Sequence, residues 1–173
     1  PFPLVFDAEL AEQNILLVED NATNREVFTK LLSKMGLNVD TAENGRIAVE
    51  KAKSSHYDLI LMDLQMPIMD GLEATQLIRS HTNNRNTPIL ALTANIFEKA
   101  RQDCKVVGMN DFINKPVDPQ IFYSTLSKWL STHESLTKLS PSTRQPQARY
   151  GQNAKFYQQL LAIEGIDVDK GLY

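Results

Sequence analysis

Five times along this chain a short extended segment, mostly an unbroken apolar run, precedes a stretch whose apolar residues recur every three or four positions. Ile15-Leu16-Leu17-Val18, Asp58–Met62 (DLILM) and Pro88–Leu92 (PILAL) are the strongest runs, and Asn38–Thr41 and Asp111–Asn114 are weaker ones. Between them come helical patterns. Val27, Leu31 and Met35 mark Asn24–Met35, which stops at Gly36, a glycine where a helix C-terminus wants one. Ala48 and Ala52 mark Gly45–Lys53, and Leu72–Arg79 follows the third run. Phe97, Ala100, Cys104 and Val107 form a fourth stripe, and Phe122, Leu126, Trp129 and Leu130 a fifth. Strands that are apolar throughout are buried on both faces. Strand and helix in alternation imply a parallel sheet with right-handed crossovers. The expected fold over residues 14–130 is therefore α/β, an open five-stranded, doubly wound parallel sheet with helices on both faces.

In such a sheet, ligands bind outside the carboxyl ends of the strands. The residues waiting there are Glu19 and Asp20 after the first run, Asp63 after the third, Thr93 after the fourth, and Lys115 with Pro116 after the fifth. Taken singly, each has an ordinary explanation as a cap, a turn or a solvated charge. Together they form three carboxylates, a hydroxyl and an ammonium on one sheet edge. Carboxylates brought together resist ionising. A hard cation with a preference for oxygen, such as Mg2+, resolves the conflict. A hydroxyl and an ammonium beside it suit a phosphoryl group, and a carboxylate can accept one as an acyl phosphate.

The strings ILLVEDNATNREV, DLILMDLQMPIMDGLEAT, PILALTAN and GMNDFINKPV resemble the receiver domain of two-component response regulators, in particular the receivers of hybrid sensor histidine kinases. The resemblance covers essentially all of residues 14–130. It implies the flavodoxin-like (CheY-like) strand order 2-1-3-4-5. It implies that Asp63 is the phosphoacceptor, taking a phosphoryl group from a phosphohistidine. Glu19, Asp20 and Asp63, with the backbone carbonyl of Gln65, would hold Mg2+. Thr93 would hydrogen-bond the phosphoryl group and Lys115 would pair with it. The Lys115–Pro116 peptide would be cis. Phe112 occupies the position of an aromatic switch coupled to Thr93, where many relatives have Tyr. Ala94 would leave room for a donor imidazole, and Gln65 and Asn95 sit where relatives tune the lifetime of the phosphate. The implied partners are a histidine kinase core as donor and a histidine phosphotransfer domain as recipient. The implied setting is cytoplasmic, with a parent chain anchored in the inner membrane.

Two other readings compete. A Mg2+-dependent phosphatase using an aspartyl phosphate would place D-x-D after the first strand, where this chain has Glu19-Asp20-Asn21. A pseudo-receiver, a binding module without phosphorylation, would lack an acid, Thr93 or Lys115, and none is missing. No glycine-rich nucleotide-binding string occurs. As a phosphoacceptor the chain would assist its own phosphorylation and dephosphorylation, and the resemblance implies a parent that is a hybrid sensor histidine kinase.

The rest of the 173 residues is of different texture. Residues 1–13 read as an upstream linker. Residues 131–153 are dominated by Ser, Thr, Pro and Gln and read as a polar linker. Residues 154–173 have a short helical pattern at Phe156, Leu160 and Ile163, then EGIDVDKGLY, which resembles the opening of a histidine phosphotransfer domain. A net charge of −3 and no basic cluster argue against nucleic-acid binding and direct membrane contact. The one cysteine, Cys104, rules out an internal disulfide and sits on an apolar stripe, so a core thiol is expected. His56, His81 and His133 have no ligand spacing.

Overall fold

A computed structural model describes residues 12–94 and 98–137, with side chains described to residue 131. Ten elements alternate: β1 (Asn14–Val18), α1 (Ala22–Lys34), β2 (Asn38–Ala42), α2 (Gly45–Ser54), β3 (Leu59–Asp63), α3 (Gly71–His81), β4 (Ile89–Thr93), α4 (Glu98–Val106), β5 (Asp111–Asn114) and α5 (Pro119–Thr137). All pairings are parallel and the strand order is β2-β1-β3-β4-β5. The doubly wound five-stranded sheet expected from the alternation is thus present.

Successive strand residues point to opposite faces, and each strand divides its apolar run accordingly. Ile15, Leu17, Leu59, Leu61, Leu90 and Leu92 join Phe28 and Leu32 of α1 and Phe122, Leu126 and Leu130 of α5 in one layer. Leu16, Val18, Ile60, Met62, Ile89 and Ala91 join Ala48 and Val49 of α2, Ala74 and Ile78 of α3, and Cys104 of α4 in the other. Cys104 is 6% exposed, the core thiol the stripe implied. Trp129, expected in the core, is only half-buried. Its indole Nε1 donates to Asp111 Oδ2 at 3.0 Å, which needs the ring at the rim.

The helix starts are set by polar caps. Asn21, Asn44 and Asp70 accept from main-chain N–H groups in the first turns of α1, α2 and α3. Asp118 does the same ahead of α5, accepting from Gln120 N at 2.8 Å. Gly36, at φ 78°, turns the chain out of α1 as expected.

Several boundaries differ from the sequence reading. Asp63 and Thr93 are the last residues of β3 and β4 rather than the first beyond them, because each still pairs in register: Asp63 with Leu92, and Thr93 with Asn114. Glu12 and Gln13, read as part of a lead, are tied to the sheet: Glu12 N donates to Gly36 O, and Gln13 O accepts from Asn38 N at 2.9 Å. The stretch read as a linker from residue 131 opens as helix, since α5 runs on to Thr137. Its i→i−4 hydrogen bonds do not need an apolar face to continue. The remainder of that stretch, the C-terminal segment 154–173, Asn95 and Phe97 lie outside the described residues.

Candidate functional site

The parallel sheet brings the carboxyl ends of β1, β3, β4 and β5 to one edge. The residues there line a cleft of about 250 Å³, among them Glu19, Asp20, Asp63, Gln65, Thr93 and Lys115. Six residues singled out from sequence are therefore gathered, although they span almost a hundred positions.

The geometry is centred on Lys115. Its Nζ lies 2.7 Å from Glu19 Oε2 and 2.7 Å from Asp63 Oδ2. All three side chains are more than nine-tenths buried. Lys115 is held in place by its own backbone, whose N–H donates to Thr93 O at 2.8 Å. The Lys115–Pro116 peptide is cis. Asp63 Oδ1 accepts from Gln65 N at 3.1 Å, so one acceptor oxygen is fixed by the loop and the other by the ammonium. Thr93 is buried beside them, while Asp20 is exposed at the mouth.

Electrostatics here follow from burial against pairing. Burial pushes the Glu19 carboxyl above its ordinary range; Lys115 pulls it down, and the negative charge of Asp63 adds to the rise. Burial also works against the charge on Lys115, but its hydrogen bonds to Asp63 and Glu19 outweigh it, and its pKa is held up. One ammonium thus serves two carboxylates, with a third at the rim. Ligand atoms of Glu19, Asp20 and Asp63 all lie within 4.8 Å of one another. An all-oxygen, net-negative set of this size fits a hard divalent cation.

Phe112 is not part of the cleft lining. It lies on β5 against the second core layer, with the Arg101 guanidinium 4.0 Å from its ring centre. A larger cleft of about 340 Å³ opens at the other end of the sheet, beside Asn14, Asn38, Asp40 and Tyr57. Its carboxylate, Asp40, is already taken up by Lys51 and by the Tyr57 hydroxyl, so it lacks the free acids that phosphoryl chemistry needs.

Sequence reading gave no role to two residues at the start of α1, Asn24 and Arg25, which both reach the acidic pair. A buried Asn on a helix face shared with Phe28 was the available signal. Gly71 is tightly constrained as well. It opens α3 directly against the main chain of Asp63, where a Cβ would lie 2.2 Å from Asp63 O.

Comparison with known proteins gives a consistent picture. Residues 15–127 match the response regulator receiver domain. The chain is 50% identical over 116 residues to hybrid signal transduction histidine kinase B of Dictyostelium discoideum, covering 61% of this chain and 6% of that protein. It is 37% identical over 148 residues to histidine kinase 5 of Arabidopsis thaliana, covering 70% of this chain and 16% of that one. The chain thus spans only a small part of the curated relatives it matches. Among solved structures, the receiver domain of sensor histidine kinase PA1611 from Pseudomonas aeruginosa, with a magnesium ion coordinated in its active site cleft, is 41% identical. It matches with TM-score 0.66, over 70% of this chain and 99% of that one. The receiver domain of yeast Ssk1, solved with the histidine phosphotransfer protein Ypd1, is 29% identical with TM-score 0.67, over 72% of this chain and 92% of that one.

Proposed function

The chain belongs to the response regulator receiver domain family, and from that premise we propose that it is the phosphoacceptor of a two-component phosphorelay. Asp63 takes a phosphoryl group from a histidine kinase phosphohistidine and passes it to a histidine phosphotransfer domain. The observation that carries this reading is the Lys115 ammonium bridging Glu19 and Asp63 at 2.7 Å each, across 96 and 52 residues of sequence. Burying such a cluster is costly for a structural purpose alone.

In the transfer, Asp63 Oδ attacks phosphorus, a P–O bond forms, and the P–N bond to the donor imidazole breaks. The imidazole leaves with the bonding electron pair and takes up a proton. The transition state is loose, so positioning and charge stabilisation dominate. Gln65 N and Lys115 Nζ hold the two Asp63 oxygens. Lys115 then pairs with a phosphoryl oxygen, and the Thr93 hydroxyl donates to another. Glu19, Asp20, Asp63 and the Gln65 carbonyl would hold Mg2+, which supplies positive charge to the entering group. The reverse attack, by a phosphotransfer histidine on the acyl phosphate, regenerates Asp63. Phe112, paired with Ala91 two residues before Thr93 on β4 and outside the cleft lining, is the residue that would report the change to the surface of α4 and β5.

Incubation with Mg2+ and acetyl phosphate, followed by intact mass, tests the reading. One phosphoryl group should be gained and then lost at alkaline pH, as an acyl phosphate is. Asp63→Asn should gain none. Undiminished labelling of Asp63→Asn would overturn the assignment, and a wild-type chain that is labelled neither by acetyl phosphate nor by a phosphohistidine donor would be a binding module instead.

A further inference from the structure

Arg25 sits in the first turn of α1, and its guanidinium turns back onto the strand end. Nη1 donates to the main-chain carbonyl of Glu19 at 2.7 Å and to that of Asp20 at 3.1 Å. A cation beside an acidic pair would ordinarily be expected on the carboxylates. Here it takes the carbonyls and makes no ion pair with either carboxylate, so Glu19 Oε2 stays on Lys115 in the cleft. Its neighbours complete the hold. Asn24 Nδ2 lies 3.4 Å from Glu19 Oε1, and the Asn21 amide lies 3.3 Å from the same oxygen. Asn21 in turn caps α1, its Oδ1 accepting from Asn24 N and its carbonyl from Arg25 N. Glu19 is therefore divided: Oε1 faces the start of α1, and Oε2 faces Lys115.

We infer that Arg25 is a positioning residue for the cation site, fixing Glu19 and Asp20 as ligands through their backbone rather than through their charge. The inference rests on the Mg2+ reading above. Two opposing effects set its sign. The guanidinium repels a divalent cation, but that repulsion acts near the exposed rim, where water and salt screen it. Its charge-assisted bonds to two consecutive carbonyls fix the direction of both acids. Partners that orient metal ligands are typically worth about 10–100-fold in affinity. The positioning effect wins, so removing Arg25 weakens metal binding. Lysine can donate to a carbonyl as a point charge but lacks the planar fork, and it restores only part of the effect.

The experiment titrates the full chain with Mg2+ by calorimetry and with Mn2+ by electron paramagnetic resonance of the free ion. Wild type, Arg25→Ala and Arg25→Lys are compared, and the metal-free Tm of each is recorded. The expected result is that Arg25→Ala binds both ions about tenfold or more weakly at a metal-free Tm close to wild type, with Arg25→Lys in between. If wild type binds and Arg25→Ala binds equally or more tightly, the inference is overturned while the metal reading stands. If wild type itself fails to bind, both fall. Should Arg25→Ala not fold, Arg25→Lys decides: binding weakened severalfold supports the inference, and unchanged binding overturns it.

Discussion

Gly71 shows how closely the chain is packed around Asp63. A methyl group there would meet Asp63 O at 2.2 Å and Leu64 Cα at 3.0 Å, both backbone atoms with no room to give. Overpacking of this kind costs about 1–3 kcal/mol. Gly71→Ala should lower Tm by several degrees and slow labelling of Asp63, because relief of the clash displaces the main chain of Asp63. Thermal melts beside acetyl phosphate labelling would check both, and wild-type labelling by the variant would show that the approach is not needed. At this scale the acids, Thr93 and Lys115 were legible, because a polar residue that follows an extended run marks the end of the strand and so the sheet edge. Arg25 was not legible. An arginine in the first turn of a helix looks like any solvated charge until the strand end is seen to lie under it.

At the scale of elements, α1 and α5 meet across the sheet face through Phe28 and Phe122, whose rings are 5.6 Å apart. On the other face, Asp40 joins three elements. Half exposed on β2, it accepts from Lys51 of α2 and from the hydroxyl of Tyr57, just ahead of β3. Burial pushes its carboxyl up, but the bonds from Lys51 and Tyr57 outweigh it and hold it below its ordinary value of 3.8. Folding is therefore stabilised by this carboxylate above that value, and the stabilisation is lost as pH falls through the lower folded pKa. Asp40→Asn should cost about 1 kcal/mol near neutral pH, discounted for exposure. The gap from wild type should narrow in acid, as pH falls below the ordinary carboxylate value and through the lower folded one. Urea unfolding at both pH values measures it, and a gap of equal size at both would mean the charge is not its source. Element existence was legible from periodicity throughout. The far end of α5 was not, since Ser, Thr and Glu beyond Leu130 carry no apolar stripe, yet the helix continues to Thr137.

For the whole molecule, the proposed cation site is the place where folding and function would be linked. Four strand ends must be in register before Lys115 can reach Glu19 and Asp63, so the site exists only in the folded chain. A ligand that binds only the folded state stabilises it by about 2.7 kcal/mol at a hundredfold excess over its Kd. Saturating Mg2+ should accordingly raise Tm by roughly 10 °C in a domain of this size. Glu19→Gln, which removes a ligand charge, should reduce that rise; an equal rise in the variant would place the ion elsewhere. Among the described residues no helix is long and apolar enough to cross a membrane. Sequence by itself determined the parallel sheet and the set of residues at its edge, because burial on both faces forces unbroken apolar strands and the strand ends then follow from the alternation. Tertiary structure alone decided how those residues are joined. One ammonium is shared by two buried acids, Arg25 grips carbonyls rather than carboxylates, Phe112 stands outside the cleft lining, and Gly71 lies against the main chain of Asp63. Each of these depends on distances between segments far apart in the chain or folded back on themselves, and residue type carries no record of such distances.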